Sequence, residues 1–132
     1  MRTVIRKAVE FIESRAGQKE RLALVLGSGL GGLVDLVEDK VSIPYSDIPG
    51  FPISTVASHA GELVLGRIGK MEVALMAGRI HYYEDGNPAA MMVPIEVLWH
   101  LGCRTLLLTN AAGSVNEDVP PASASLITDH IN

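Results

Sequence analysis

Apolar residues recur at helical spacing near the start of the chain. Ile5, Ala8, Val9 and Ile12 share one face, with Arg6, Glu10 and Glu13 off it. The pattern predicts a helix over residues 3–16, stopped by Gly17. The period then changes. Leu22-Ala23-Leu24-Val25-Leu26 is a continuous apolar run, which suits a central strand buried on both faces. It runs into Gly27-Ser28-Gly29-Leu30-Gly31-Gly32, after which Leu33, Leu36 and Val37 return to helical spacing. This reads as strand, glycine loop, helix. Pro44, Pro49 and Pro52 punctuate residues 42–58, predicting loop with at most short strands. Residues 63–68 and 71–77 are apolar runs joined by Gly69-Lys70, and glycine at the first central position suits a type II′ hairpin. Asn87 as N-cap and Pro88 at the first position open a helix running to about Leu101, kinked by Pro94. Residues 105–109 read as another buried strand, and residues 125–128 as a last one.

Strands alternating with helices predict an α/β fold: a layered, mixed, mostly parallel sheet flanked by helices, in a single domain over residues 1–132. The chain ends just after a strand, so the expectation is of an apparently truncated sheet. Composition narrows the class. With 48% hydrophobic residues, 20% charged residues and a mean hydropathy of +0.27, the chain is not disordered as a whole. A net charge of -4 and the lack of a basic patch disfavour nucleic-acid binding. The uncharged stretch over residues 22–34 is shorter than the roughly 18 residues a membrane-spanning helix needs. The acidic residues near the N-terminus do not fit a signal peptide. Cys103, the single cysteine, can form neither an internal disulfide nor a cysteine-rich zinc site, and it reads as a small buried hydrophobe. A reducing cytoplasm fits, with no metal site and no membrane partner.

Four segments carry candidate chemistry. Residues 27–32 let backbone approach a ligand closely. A helix starting there would aim amides at an anion, with the Ser28 hydroxyl as a further donor; the plain alternative is a tight turn. The same segment satisfies G-x-G-x-x-G, with Asp47 twenty positions after Gly27, so a dinucleotide-binding module is a rival. Asp47 sits in predicted loop, however, rather than at the end of a second parallel strand. Gly78-Arg79-Ile80-His81-Tyr82-Tyr83-Glu84-Asp85 follows a strand and gathers a permanent cation, an imidazole, phenols and carboxylates. In extended chain Arg79 and His81 point the same way, and the guanidinium fork suits phosphate or carboxylate. The plainer reading is a solvated loop with Arg79 paired to Glu84. Ser58-His59-Ala60-Gly61 and Thr109-Asn110-Ala111-Ala112-Gly113 are small-residue turns at strand ends, either structural or ligand-facing.

Taken together, Leu24-Val-Leu-Gly-Ser-Gly-Leu-Gly-Gly32, Tyr45-Ser-Asp-Ile-Pro-Gly-Phe-Pro52, Ser58-His-Ala-Gly61, Gly78-Arg-Ile-His-Tyr-Tyr-Glu84, Leu108-Thr-Asn-Ala-Ala-Gly113 and Asp129-His-Ile-Asn132 resemble the trimeric, 6-oxopurine-preferring purine nucleoside phosphorylases. The resemblance runs from about residue 22 to the end and corresponds to the N-terminal half of a family member. It implies reversible phosphorolysis: phosphate attacks C1′ of a purine (deoxy)ribonucleoside, giving a sugar 1-phosphate and free base. Phosphate is then a co-substrate, no cofactor is implied, and a homotrimer is expected. The resemblance implies that Ser28, His59, Arg79, His81 and the Ala111 backbone bind phosphate. Tyr83 and Asn110 would face the nucleoside, and Glu84 would orient His81 or the phosphate, making His81 and Glu84 the catalytic pair. One departure is local: the family usually has Gly-Asp where this chain reads Pro120-Pro-Ala-Ser-Ala124. The family's base-recognising residues have no counterpart here, so the short chain is expected to show little or no turnover. Two rival readings stand beside the dinucleotide-binding module: a methylthioadenosine phosphorylase, and a non-catalytic remnant that oligomerises.

Overall fold

A computed structural model describes residues 1–53 and 61–131. Helix α1 spans Thr3–Ala16, and its apolar stripe is fully used: Ile5, Ala8, Val9 and Ile12 are all buried. Gly17 ends it, its amide donating to the Glu13 carbonyl at 2.8 Å. Arg21 completes that end. Its side chain is buried, and Nη2 donates to the carbonyls of Ala16 and Gly17 at 3.0 and 3.1 Å. Those carbonyls would otherwise lack partners at the helix terminus.

Five strands form one sheet: β1 (Leu22–Val25), β2 (Glu38–Pro44), β3 (Glu62–Ile68), β4 (Met71–Ala77) and β5 (Thr105–Leu108), in the order β2-β3-β4-β1-β5. β1 pairs in parallel with β4 and β5, whereas β3 pairs antiparallel with β2 and β4. The sheet is mixed as expected, but parallel and antiparallel pairings are equal in number. The antiparallel half includes β2, which the prolines and charges of its segment disguise as loop. Its register shifts between Glu38 and Val41, and Asp39 takes a φ of 51°. The β3–β4 turn has Gly69 at φ 60°, as the type II′ turn requires.

Period-two alternation splits the sheet's side chains between two cores. Ala23, Val25, Leu63, Leu65, Ala74 and Met76 face α1 and helix α3 (Met92–His100), which adds Val97 and Leu98. Leu24, Val64, Val73 and Leu75 face the other way, under Leu33, Val34 and Val37. That second cover is a six-residue 3-10 helix, Gly31–Leu36, not the α-helix predicted, and Leu36 is exposed.

The other differences have equally local causes. Asn87 caps a separate turn, its Oδ1 accepting the Ala89 amide at 2.9 Å, and α3 begins only at Met92. Pro94 therefore lies in the first helical turn, where a missing N–H costs no hydrogen bond and no kink follows. β5 is an edge strand and its four residues are exposed, not buried. Residues 109–131 hold turns but no strand, so the run at 125–128 has no ladder partner; Leu126 and Ile127 are exposed. Among the described residues no helix is long and apolar enough to cross a membrane.

Candidate functional site

The chain direction of the sheet gathers several loops at one end. β4, β1 and β5 are adjacent and parallel, so Gly78, Leu26 and Thr109 leave it side by side. β3 enters the sheet at that end through Gly61, and β2 leaves it there through Tyr45. Ligands in open α/β sheets bind outside the carboxyl ends of such strands.

A cavity of about 330 Å³ lies there, lined by Leu26, Gly27, Ser28, Gly29, Gly31, Ala77, Gly78, Arg79, His81 and Tyr83. Thus Ser28 and Arg79, 51 positions apart in sequence, share one cavity wall with His81 and Tyr83. Parallel pairing continues into the loop, since the Leu26 amide donates to the Met76 carbonyl at 3.0 Å. Gly27 then passes so close to the end of β5 that a Cβ would lie 2.7 Å from the Thr109 carbonyl oxygen, which excludes any side chain. The amides of Ser28 and Gly29 find no partner among the described residues.

Arg79 is held by a neutral group. Its Nη1 donates to the Thr109 carbonyl at 2.7 Å, and no carboxylate of the described residues pairs with it. The Arg79–Glu84 pair of a plain solvated loop is not what the structure has. Glu84 Oε1 instead accepts the His81 main-chain amide at 2.9 Å, at the start of the short helix α2 (Tyr82–Asp85). Glu84 thereby fixes the backbone of His81. The His81 imidazole stacks on the Tyr83 ring, with centroids 5.0 Å apart and planes 8° from parallel.

The loop before Arg79 is fixed from below by Tyr45. Its phenol donates to the Gly78 carbonyl at 2.8 Å, and its main-chain amide to the Gly61 carbonyl at 2.9 Å. The ring fills the space over Gly61, where a Cβ would lie 2.2 Å from Cε2. Burial, with help from Glu62, pushes the Tyr45 phenol well above the ordinary tyrosine range, so it stays a donor. Sequence reasoning leaves both Tyr45 and Thr109 without a role. Their side-chain polarity and position at strand ends are the available signal.

Other candidates lie elsewhere. Asn110 lines a separate hollow formed by residues 110–127, though its Cα abuts Gly27. Ala111 is exposed and does not line the cavity of Arg79. His59 lies outside the described residues. The dinucleotide reading meets a geometric obstacle. Asp47 ends a short 3-10 helix, Tyr45–Asp47, beyond β2, and β2 is three places from β1 in the sheet. The expected helix-terminus contribution to anion binding also falls away, because only the six-residue 3-10 helix follows the glycine loop.

Comparison with known proteins shows the family and the fold. A model of the phosphorylase superfamily matches residues 21–132. The chain is 46% identical over 131 residues to purine nucleoside phosphorylase 1 of Geobacillus stearothermophilus, covering 99% of this chain and 48% of that protein. It resembles the solved purine nucleoside phosphorylase of Schistosoma mansoni in complex with acetate, with a TM-score of 0.80 and 36% identity over 89% of this chain and 43% of that one. Isoform 2 of the Schistosoma enzyme, solved with cytosine and ribose-1-phosphate, matches at a TM-score of 0.79 and 39% identity, over 87% and 40% of the two chains. The chain spans about half the length of the curated relatives it matches.

Proposed function

The chain belongs to the phosphorylase superfamily, and from that premise we propose that it is the phosphate-holding part of a purine nucleoside phosphorylase. One observation carries the reading: Arg79 stands in a cavity wall with Ser28 and His81, held by a neutral carbonyl and without a carboxylate partner among the described residues. A permanent cation so placed favours a small oxyanion, and its remaining N–H donors suit a tetrahedral one. The relatives named above are purine nucleoside phosphorylases, which favours that activity over methylthioadenosine phosphorolysis. The Schistosoma isoform binds ribose-1-phosphate, the sugar product such a reaction gives.

In the proposed reaction a phosphate oxygen forms a bond to C1′ as the bond from C1′ to the purine breaks. The electron pair leaves on the base, which is stabilised at N7. Arg79, Ser28 and His81 hold the dianion beneath a sugar that becomes oxocarbenium-like. Tyr83, in the cavity wall, meets the nucleoside, while His59, the Ala111 backbone and Asn110 are tied to the phosphate and the nucleoside by the family resemblance alone. Positioning and electrostatic stabilisation supply the rate, with no cofactor. Glu84 contributes by fixing the His81 backbone. A cytoplasmic homotrimer completes the proposal, on the strength of the family resemblance and the lone Cys103. The test is titration of the chain with inorganic phosphate and, separately, with NAD. Saturable phosphate binding and indifference to NAD are expected. Binding of NAD in preference to phosphate would replace this reading with the dinucleotide one.

A further inference from the structure

We infer that Thr109 is the positioning residue of this anion site, one side chain and one carbonyl that set the glycine loop and Arg79 against each other. The inference rests on the phosphate reading and deepens it. Thr109 uses all its polar atoms across the sheet end. Its amide donates to the Val25 carbonyl at 3.2 Å. Its hydroxyl donates to the same carbonyl at 3.0 Å and accepts the Gly27 amide at 2.7 Å. Its carbonyl takes Nη1 of Arg79 at 2.7 Å.

Each contact has a consequence for the anion. By occupying the Gly27 amide, the hydroxyl anchors the loop's first residue, and the next two amides, of Ser28 and Gly29, stay without a partner among the described residues. By holding one guanidinium nitrogen, the carbonyl fixes the rotamer of a long side chain that would otherwise lose entropy on binding. Because both contacts issue from one residue, the distance between loop and guanidinium is set by a single short link. Valine at this position keeps the shape but leaves the Gly27 N–H without its acceptor. Serine keeps the hydroxyl.

The experiment compares phosphate affinity of the 132-residue chain with that of Thr109→Val, Thr109→Ser and Arg79→Ala, and follows the amides of residues 27–29 by NMR. Thr109→Val is expected to weaken binding about tenfold, a loss of roughly one hydrogen-bonded anchor, while Thr109→Ser stays within about twofold of the parent. In the parent chain, added phosphate should move the Ser28 and Gly29 amides most, with the Gly27 amide slow to exchange throughout. Equal affinity of Thr109→Val and parent, where Arg79→Ala has lost binding, overturns this inference alone. No phosphate binding by the folded parent overturns the functional reading and this inference with it. Should Thr109→Val fail to fold, the parent's amides still decide: a Gly27 amide exchanging as fast as Ser28 and Gly29 sinks the positioning role.

Discussion

The two ends of the sheet solve the same problem with different chemistry. At the end away from the cavity, Lys19 and Arg67 are matched to carboxylates, whereas Arg21 and Arg104 spend their donors on main-chain carbonyls. Lys19 Nζ lies 2.7 Å from Glu72 Oε1, and Nη2 of Arg67 lies 3.0 Å from Glu38 and 3.1 Å from Asp39. Around the cavity the charged groups meet main-chain partners, Arg79 the Thr109 carbonyl and Glu84 the His81 amide, and neutral ties join the rest: the Tyr45 phenol donates to the Gly78 carbonyl, and the Thr109 hydroxyl accepts the Gly27 amide. A cation already paired with two carboxylates has little field left for a ligand. A cation steadied by a carbonyl keeps its full charge. The contrast teaches that the charge balance of the whole chain says little, and its local distribution says where an anion goes.

The largest effect that could break this contrast comes from removing each arginine in turn. Arg79→Ala is expected to weaken phosphate binding about 100-fold, since charge-assisted hydrogen bonds are worth about 1.5–3 kcal/mol. Arg67→Ala should leave the phosphate affinity within about twofold, because its charge is neutralised where it stands and screened by solvent. Isothermal titration of both variants checks this. Equal losses would mean that phosphate is drawn by general positive charge and that the cavity has no special standing.

Much of this is legible in the sequence, and the failures share a cause. α1 and the β3–β4 hairpin are readable because one short window holds the whole signal: an apolar stripe with a glycine stop, and two apolar runs about Gly69-Lys70. β2 is not, because Glu38, Asp39 and Lys40 face solvent on an edge strand and its partner β3 begins only at Glu62. β5 is legible as a strand but not as an exposed one, since burial depends on what packs against it. The same division runs through the site. Ser28, Arg79 and His81 carry their chemistry in their side chains and sit at strand ends, so they can be named. Thr109 and Tyr45 act on residues that are 82 and 33 positions away, and no local pattern records such partners. Asn110 and Ala111 are tied to the site by family resemblance alone, and the structure sets both outside the cavity wall.

An intermediate effect tests whether neutral ties matter at the cavity end. Tyr45→Phe keeps the ring that packs over Gly61 and against Phe51, 5.4 Å between centroids, and removes only the donor to Gly78. The expected cost is about 1 kcal/mol of stability and about a fivefold loss of phosphate affinity. A pH series adds a second readout. The folded protein holds the Tyr45 proton more tightly than the unfolded chain does. Its contribution is therefore complete below the ordinary tyrosine pKa of about 10 and falls as pH rises above it. Denaturant titrations above a pH of about 10 are expected to show a shallower decline for Tyr45→Phe than for the parent. An identical decline would remove the buried phenol from the account.

The smallest effect belongs to the opposite end, and its smallness is the prediction. Glu72→Gln separates Lys19 from its carboxylate, but the Lys19 side chain is 50% exposed and that of Glu72 25%. Solvent screens such a pair, and holding the long lysine chain in place costs entropy, so the change in stability should be about 0.5 kcal/mol, or ~2 °C in Tm. Raising the salt concentration should shrink even that difference, since part of what is lost is Coulombic. Phosphate affinity should not move, because the pair stands at the far end of β4 from Gly78. A loss of several kcal/mol in Glu72→Gln, or a change in its phosphate affinity, would mean that the two ends are coupled through β4 and that the ion pairs reach into the site.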